Sequence, residues 1–161
     1  MPHNPEASCS SVMSDPPTIL KPDDSLLFAL QKIIEHRVPS LPVVDTDGRY
    51  LGMLPRSRLV ALAMPHVLSD EHEKFSPSHM LEGGFIQEPI GELQARMDAV
   101  ANDPVRKHLD THVPVLRPKS LLTSAMFFLY RERNILPVVE DGRLVGLVTI
   151  WDVLARLGRI R

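Results

Sequence analysis

The chain of 161 residues carries one ordered pattern twice, and an internal repeat restricts the possible folds more than any single motif does. Ile19-Leu20-Lys21-Pro22 matches Val115-Leu116-Arg117-Pro118 at a separation of 96 positions. Leu41-Pro42-Val43-Val44 matches Leu136-Pro137-Val138-Val139 at 95, and Gly48 and Gly52 match Gly142 and Gly146 at 94. One deletion between helix and strand and one in the turn account for the drift. The matched stretches cover residues 12–59 and 108–154, which is the mark of a tandem duplication.

Each copy has the same element order. A short extended stretch ends at a basic residue followed by proline. In the first copy Leu26, Leu27, Leu30, Ile33 and Ile34 then recur at helical spacing, with Asp23, Asp24 or Ser25 available as the cap. Leu121, Leu122, Ala125, Met126 and Leu129 repeat that period, with Ser120 as the expected cap. Leu41–Val44 and Leu136–Val139 read as short strands. Turns at Asp47-Gly48 and Asp141-Gly142 lead into second strands at Tyr50–Leu54 and Leu144–Ile150, giving two hairpins. Closing helices are expected from near Arg56 and near Trp151. The fold class is therefore α+β, two tandem β-α-β-β-α units. A unit of about 50 residues has little interior of its own, and two packed sheet against sheet share a core.

The division that follows is a disordered tail over 1–10, a first unit over 11–64, an insert or linker over 65–103 and a second unit over 104–161. The insert holds one helical signal at 91–100, where Leu93, Arg96, Met97 and Val100 fall three or four apart. Beyond it, Asp103-Pro104 reads as a helix start, with Val105 and Leu109 facing inward. The insert's length for a connector points to a docking role or a part in a dimer interface.

Composition narrows the function. Eighteen Lys+Arg against 20 Asp+Glu leave no bulk positive charge for binding nucleic acid, so no nucleic-acid partner is expected. Cys9 is the only cysteine, which excludes an intrachain disulfide and a cysteine-rich zinc site, and suggests a cytoplasmic location. No run of 18 apolar residues is present, so no membrane insertion is expected. His66, His72 and His79 accompany Asp70, Glu71 and Glu73 in the insert, but their spacings are not those of a zinc helix, and no metal site is expected. No nucleophile–base pair or acid–base pair can be named, which argues against an enzyme.

The doubled order of basic-Pro, amphipathic helix, LPVV, Asp-Gly, Gly and closing helix resembles a pair of CBS domains, or Bateman module, the regulatory domains named after cystathionine β-synthase. The resemblance covers about residues 11–64 and 104–158. It implies two units related by a pseudo-twofold axis, clefts between them, and a flat dimer. It also implies a ligand carrying adenosine, such as AMP, ADP, ATP or S-adenosylmethionine. The family's ligand motif is glycine, then Ser/Thr three residues on, then Asp three further. Gly146, Thr149 and Asp152 match it in the second copy. On this resemblance Asp152 accepts hydrogen bonds from the ribose hydroxyls, Thr149 offers its hydroxyl to ribose or phosphate, and Gly146 permits close backbone approach. The base is expected near Val113 and the run Asn134, Ile135, Leu136 and Pro137.

The first copy departs from the motif. Gly52-Met53-Leu54-Pro55-Arg56-Ser57-Arg58 puts proline where the hydroxyl belongs and arginine in place of the carboxylate. Arginine cannot accept a hydrogen bond, so an ordinary nucleoside site is not expected there. Arg56 and Arg58 are candidate phosphate contacts, with solvated surface arginines as the plain alternative. Trp151 is expected to pack on the module or a dimer mate, and Phe127 to serve oligomerisation. The resulting expectation is a non-catalytic sensory module. An adenine nucleotide in the second unit's cleft modulates a partner enzyme, channel or transporter, within a homodimer. The alternatives are an interaction or oligomerisation module without a nucleoside, and a regulatory fragment of an enzyme or transporter.

Overall fold

In the computed structural model, which describes residues 7–65, 87–131 and 134–160, both copies build the same helix–hairpin–helix unit. Helix α1 (Leu26–His36) starts at Ser25, whose hydroxyl accepts from the Phe28 amide at 3.1 Å, relieving one of the unpaired first-turn donors. It buries Leu26, Ala29 and Ile33 along one stripe and ends at Arg37 in the left-handed conformation. Strands β1 (Ser40–Val44) and β2 (Tyr50–Pro55) pair antiparallel, with Ser40 opposite Pro55 and Val43 opposite Gly52. Helix α2 (Arg56–Ala63) closes the unit. Helix α3 (Ile90–Val100) belongs to the insert.

The second copy supplies α4 (Leu122–Arg131), β3 (Ile135–Glu140), β4 (Arg143–Thr149) and α5 (Ile150–Leu157). Ile135 faces Thr149 and Val138 faces Gly146. Both hairpins slip register between their two valines, so the duplication extends to the irregularity. Ser120 differs from expectation. Its hydroxyl accepts from the Arg117 amide at 2.9 Å and closes the turn before α4, as the Asp24 carboxylate does for the Lys21 amide in the first copy.

The extended stretch that opens each unit is divided between two sheets, which is why it survives only as isolated bridges. Leu20 pairs parallel with Val43 of its own hairpin, while Ser14 pairs antiparallel with Leu147 of the other. Leu116–Val138 and Asp110–Met53 repeat the arrangement with the units exchanged. Ser14 and Leu147 exchange both backbone hydrogen bonds at 2.8 Å. The hairpin turns meet as well: the Tyr50 amide donates to the Gly142 carbonyl at 3.0 Å, and the Leu144 amide to Gly48 at 3.3 Å. These reciprocal pairs define the pseudo-twofold relation between the units.

The exchange requires glycine at two places. A Cβ on Gly146 would stand 3.3 Å from the Ser14 carbonyl oxygen and 3.2 Å from Met13 Sδ; one on Gly52 would stand 3.1 Å from the Asp110 carbonyl oxygen. A side chain at either position would crowd the crossing segment, which would have to give by a few tenths of an ångström.

Residues 7–10 correct the expected tail. The Leu122 amide donates to Ala7 at 2.8 Å, Cys9 to Ser120 at 2.8 Å and Ser10 to Pro118 at 2.9 Å. Leu26 to Asp103, Val105 to Asp24 and Arg106 to Pro22 are the same three bonds, 96 positions away in each partner. The short 3-10 turn Cys9–Ser11 thus corresponds to Val105–His108, and Cys9 is as fully buried as Val105. The duplication begins inside the segment that polarity alone assigned to a tail. The helix start expected at Pro104 is this 3-10 turn, across which His108 Nε2 meets Asp103 Oδ2 at 2.9 Å.

Two cores result, and each borrows from the other copy. Val105 joins Leu20, Leu26, Ala29, Ile33, Leu41, Val43, Leu54 and Leu59. Cys9, Val12 and Met53 join the core built on Leu116, Leu122, Leu136, Val138 and Val148. Helix α3 rests on α2, where Arg96 donates to the Ala63 carbonyl at 3.3 Å while Glu88, just before α3, holds the same guanidinium in a two-pronged pair with both contacts at 2.6 Å. The insert's histidines and their acidic neighbours fall within 66–86, outside the described residues. Among the described residues no cluster of three His, Cys, Asp or Glu is placed to hold a metal.

Candidate functional site

Thr149 ends β4 and caps α5. Its hydroxyl oxygen accepts from the Asp152 amide at 3.1 Å, while Asp152 Oδ2 accepts from the Thr149 amide at 2.9 Å and the Thr149 hydroxyl at 2.8 Å. This reciprocal box satisfies helix-end donors and sets the carboxylate against the positive end of α5. Ser14, carried across from the first copy, donates its hydroxyl to the same Oδ2 at 3.1 Å. Among the described contacts all three fall on Oδ2, so the cap uses one carboxylate oxygen and leaves Oδ1 for further donors.

A cleft of about 510 Å³ opens beside this group, lined by Ser14, Asp15, Pro17, His36–Pro39, Arg56, Asn134, Ile135, Leu147 and Thr149–Trp151. That volume lies within the ~300–1,000 Å³ span of small-molecule sites. Asp152 is not part of the lining; it reaches the cleft through Ser14 and Thr149. Gly146 is buried beneath the Met13–Ser14 crossing, so the close approach it permits is that of the chain's own backbone, which is what brings Ser14 to Asp152.

The structure brings part of the expected base-side run to the cleft. Only Asn134 and Ile135 of the predicted run line the cleft. Leu136 and Pro137 are buried in the hairpin, and the Pro137 carbonyl is taken by the Leu116 amide at 2.9 Å. Val113 faces the opposite cleft, and Pro17, its counterpart 96 positions earlier, stands beside Thr149 instead. The cause is the strand exchange: each unit's opening segment completes the other unit's cleft.

That opposite cleft, of about 280 Å³, is lined by Pro39, Ser40, Met53, Pro55, Arg56, Ser57, Val113, Asn134 and Ile135. Arg56 borders both clefts, whereas Arg58, the other candidate phosphate contact, lies exposed on α2 and lines neither. Pro55 gives α2 no side-chain cap. Ser40 is 6% exposed, and its hydroxyl is buried without a hydrogen-bond partner, which costs about 1–3 kcal/mol. Sequence reasoning missed Ser14, His36, Arg37 and Ser40, all of which reach these clefts by tertiary placement alone. A groove of about 610 Å³ around Arg117, Lys119, Glu140 and Asp141 lies away from the motif, with its charges of both signs together.

Trp151 packs on neither module face. It is 76% exposed at the rim of the larger cleft. Phe127, 56% exposed, meets Phe128 edge-on and carries the Arg131 guanidinium over its ring. No described helix is long and apolar enough to cross a membrane.

Doubled units, exchanged opening strands and interfacial clefts define a tandem module. The CBS domain model matches residues 9–64 and 105–159, and the chain belongs to the CBS-domain family as a tandem pair, a non-catalytic regulatory fold. The matched bounds include the Cys9 segment, in agreement with the hydrogen bonds above.

The A-adding tRNA nucleotidyltransferase of Aquifex aeolicus is 27% identical over 143 residues, covering 89% of this chain and 13% of that protein. The human 5'-AMP-activated protein kinase subunit gamma-3 is 29% identical over 137 residues, covering 84% of this chain and 24% of that subunit. The chain thus spans a small part of these two relatives. Among solved structures, the CBS-pair protein CBSX2 from Arabidopsis thaliana aligns with a TM-score of 0.71 at 23% identity, over 96% of each chain. CBSX2 in complex with AMP aligns with a TM-score of 0.66 at 23% identity, over 94% of this chain and 96% of that one. The fold is one used by proteins of nucleotide-linked regulation.

Proposed function

We propose that this module senses an adenine nucleotide or related adenosyl ligand in the cleft beside Thr149 and transmits its occupancy to a partner protein. The observation that carries the reading is the Ser14–Thr149–Asp152 group at the edge of a cleft whose lining includes Arg37 and Arg56 along with Asp15. Asp152 Oδ1 is an acceptor for the paired hydroxyls of a ribose, and Thr149 and Ser14 add hydroxyls. Asn134 and Ile135 offer a polar edge and an apolar face to the base, while His36, Arg37 and Arg56 line the side where phosphates would lie. AMP, ADP, ATP and S-adenosylmethionine all present the adenosine this arrangement suits, and the structure of CBSX2 with AMP supports the class. Because the cleft is walled by both copies, a ligand that binds one inter-unit angle better shifts the module toward it.

A homodimer fits the surface. Ile34, Val60, Trp151, Leu154 and Leu157 lie on helices α1, α2 and α5 and are each more than half exposed, the kind of apolar area a second copy would cover. Sedimentation at several concentrations tests this, and a monomer throughout the micromolar range overturns it.

The ligand is tested by calorimetric titration of AMP, ADP, ATP and S-adenosylmethionine into the protein and into Asp152→Asn. Asparagine can still accept at the cap but lacks the charge. At least one ligand should bind with Kd below about 1 mM, and the substitution should weaken it by about tenfold or more. The capping box also supports a second reading, an assembly module in which Asp152 only holds α5. In that case the substitution lowers Tm and leaves any affinity unchanged.

A further inference from the structure

The two clefts are images of one another under the repeat, with one exchange of chemistry. In the larger, Ile135 faces Thr149 across the hairpin; in the smaller, Ser40 faces Pro55. The hydroxyl has moved to the opposite strand. The carboxylate that accompanies it in the second copy is absent, since Arg58 holds that position and no acidic residue lines the small cleft. What remains there is a set of donors. Arg56 contributes a guanidinium, Asn134 a carboxamide, and the eight-residue helix α2, without a side-chain cap, its first-turn amides after that of Arg56, which donates to the Pro39 carbonyl. Ser40 adds a hydroxyl, 94% buried by its 6% exposure and lacking a partner. The Pro39 carbonyl, one residue before it, accepts from the Arg56 amide at 2.9 Å.

Such a set suits an acceptor-only anion and disfavours a ribose, whose hydroxyls need acceptors as well. At about 280 Å³ the cleft falls just below the size of ordinary small-molecule pockets. We propose that the first cleft is a phosphate site, formed by Ser40, Arg56 and the amino end of α2, that holds a phosphate group and no nucleoside. Arg56, Pro39, Asn134 and Ile135 line both clefts. The phosphate therefore has two sources, a free anion or the outer phosphates of a nucleotide seated beside Thr149. Only the second source rests on the function proposed above.

The test uses inorganic phosphate, adenosine, AMP and ATP as separate titrants at constant ionic strength near 0.15 M, where distant charges are screened. The variants are Ser40→Ala, Arg56→Gln and, as a control for lost positive charge, Arg156→Gln on α5. Inorganic phosphate should bind and shift the Ser57 amide resonance, and Ser40→Ala and Arg56→Gln should each weaken it by about tenfold, a change of roughly 1.4 kcal/mol. Arg156→Gln should leave it unchanged. If ATP but not AMP loses affinity in Ser40→Ala, the phosphates arrive on the nucleotide; if both keep it while inorganic phosphate loses it, the free anion is the source. Phosphate binding without any nucleoside binding sustains this site and refutes the nucleotide reading. Equal loss in all three variants, or no phosphate-dependent effect of Ser40→Ala and Arg56→Gln, overturns the proposal. Ser40→Ala removes an unpaired buried hydroxyl, so the unliganded variant should fold with an unchanged or higher Tm; a large fall shows that the hydroxyl has a structural partner and also overturns it.

Discussion

Cys9 occupies the place that Val105 holds in the other copy, and burial accounts for its properties. It has no exposed surface, and desolvation pushes its thiol pKa upward. The reactive species is the thiolate, so in the native protein Cys9 should resist alkylation and be modified only as the chain unfolds. Native labelling at the rate of a free thiol would contradict the buried placement. Cys9→Val installs the residue the duplicate already uses and should change stability by less than about 1.5 kcal/mol. Cys9→Ser puts a hydroxyl where sulfur lies 3.9 Å from its only described acceptor, the Leu121 carbonyl. A shorter bond leaves that hydroxyl poorly paired, and a loss of about 1–3 kcal/mol is expected in chemical denaturation. One cysteine flanked by serines gives no periodic signal, so its burial was not legible. Its repeat partner showed what the composition of the segment concealed.

Helices and hairpins were the legible level. Apolar spacing predicts helices at Leu26, Arg56 and 91–100, and they span Leu26–His36, Arg56–Ala63 and Ile90–Val100. Both hairpins lie within a residue or so of the short apolar runs and Asp-Gly turns that announce them. The cap at Thr149 was readable because three-residue spacing fixes both partners within one turn. Ser14, Pro17 and Arg37 were not readable as site residues, since they arrive through pairings across more than 90 positions of chain. The same limit misplaced Val113: sequence assigns a segment to its own repeat, whereas the sheets exchange it.

The docking of α3 yields a pH prediction. The Arg96 guanidinium, hydrogen bonded to Glu88 and opposite to it in charge, holds the Glu88 carboxyl below its ordinary value. A lowered folded pKa means the contribution is present above the unfolded value, about 4.3, and is lost as pH falls through the folded value. Arg96 also donates to the Ala63 carbonyl at 3.3 Å, at the end of α2. The protection of α3 amides, taken relative to their intrinsic exchange rate at each pH, should therefore fall below about pH 4, and Glu88→Gln should produce that loosening already at pH 7 while core amides of β3 stay protected. Equal protection of α3 at both pH values would show that the packing of Met97 and Val100 against the first core suffices.

At the scale of the whole molecule, the duplication does not yield two independent halves. Cys9 and Val12 precede the first unit's own helix yet sit in the second unit's core, and Val105 does the reverse. The cleft beside Thr149 is thus lined by Ser14 from the first copy and by Ile150 from the second. The same interlock predicts how damage spreads. Removing residues 1–14 deletes the Ser14 carbonyl that accepts from the Leu147 amide at 2.8 Å, the Cys9 and Val12 side chains, and the Ser14 donor to Asp152. Loss of two core side chains at ~2 kcal/mol each takes a large share of a domain's 5–15 kcal/mol. The deletion should therefore strip hydrogen-exchange protection from Leu147 and its neighbours in β4, more than 130 positions from the cut. The Met53 amide, paired with Asp110 at 3.1 Å, should keep more of its protection because its crossing segment remains. Its loss should be secondary, following only as far as the shared interface fails. Deprotection confined to the β1–β2 hairpin, or equal retention at Leu147 and Met53, would mean that the opening segment serves its own unit and that the exchange does not bind the two copies together.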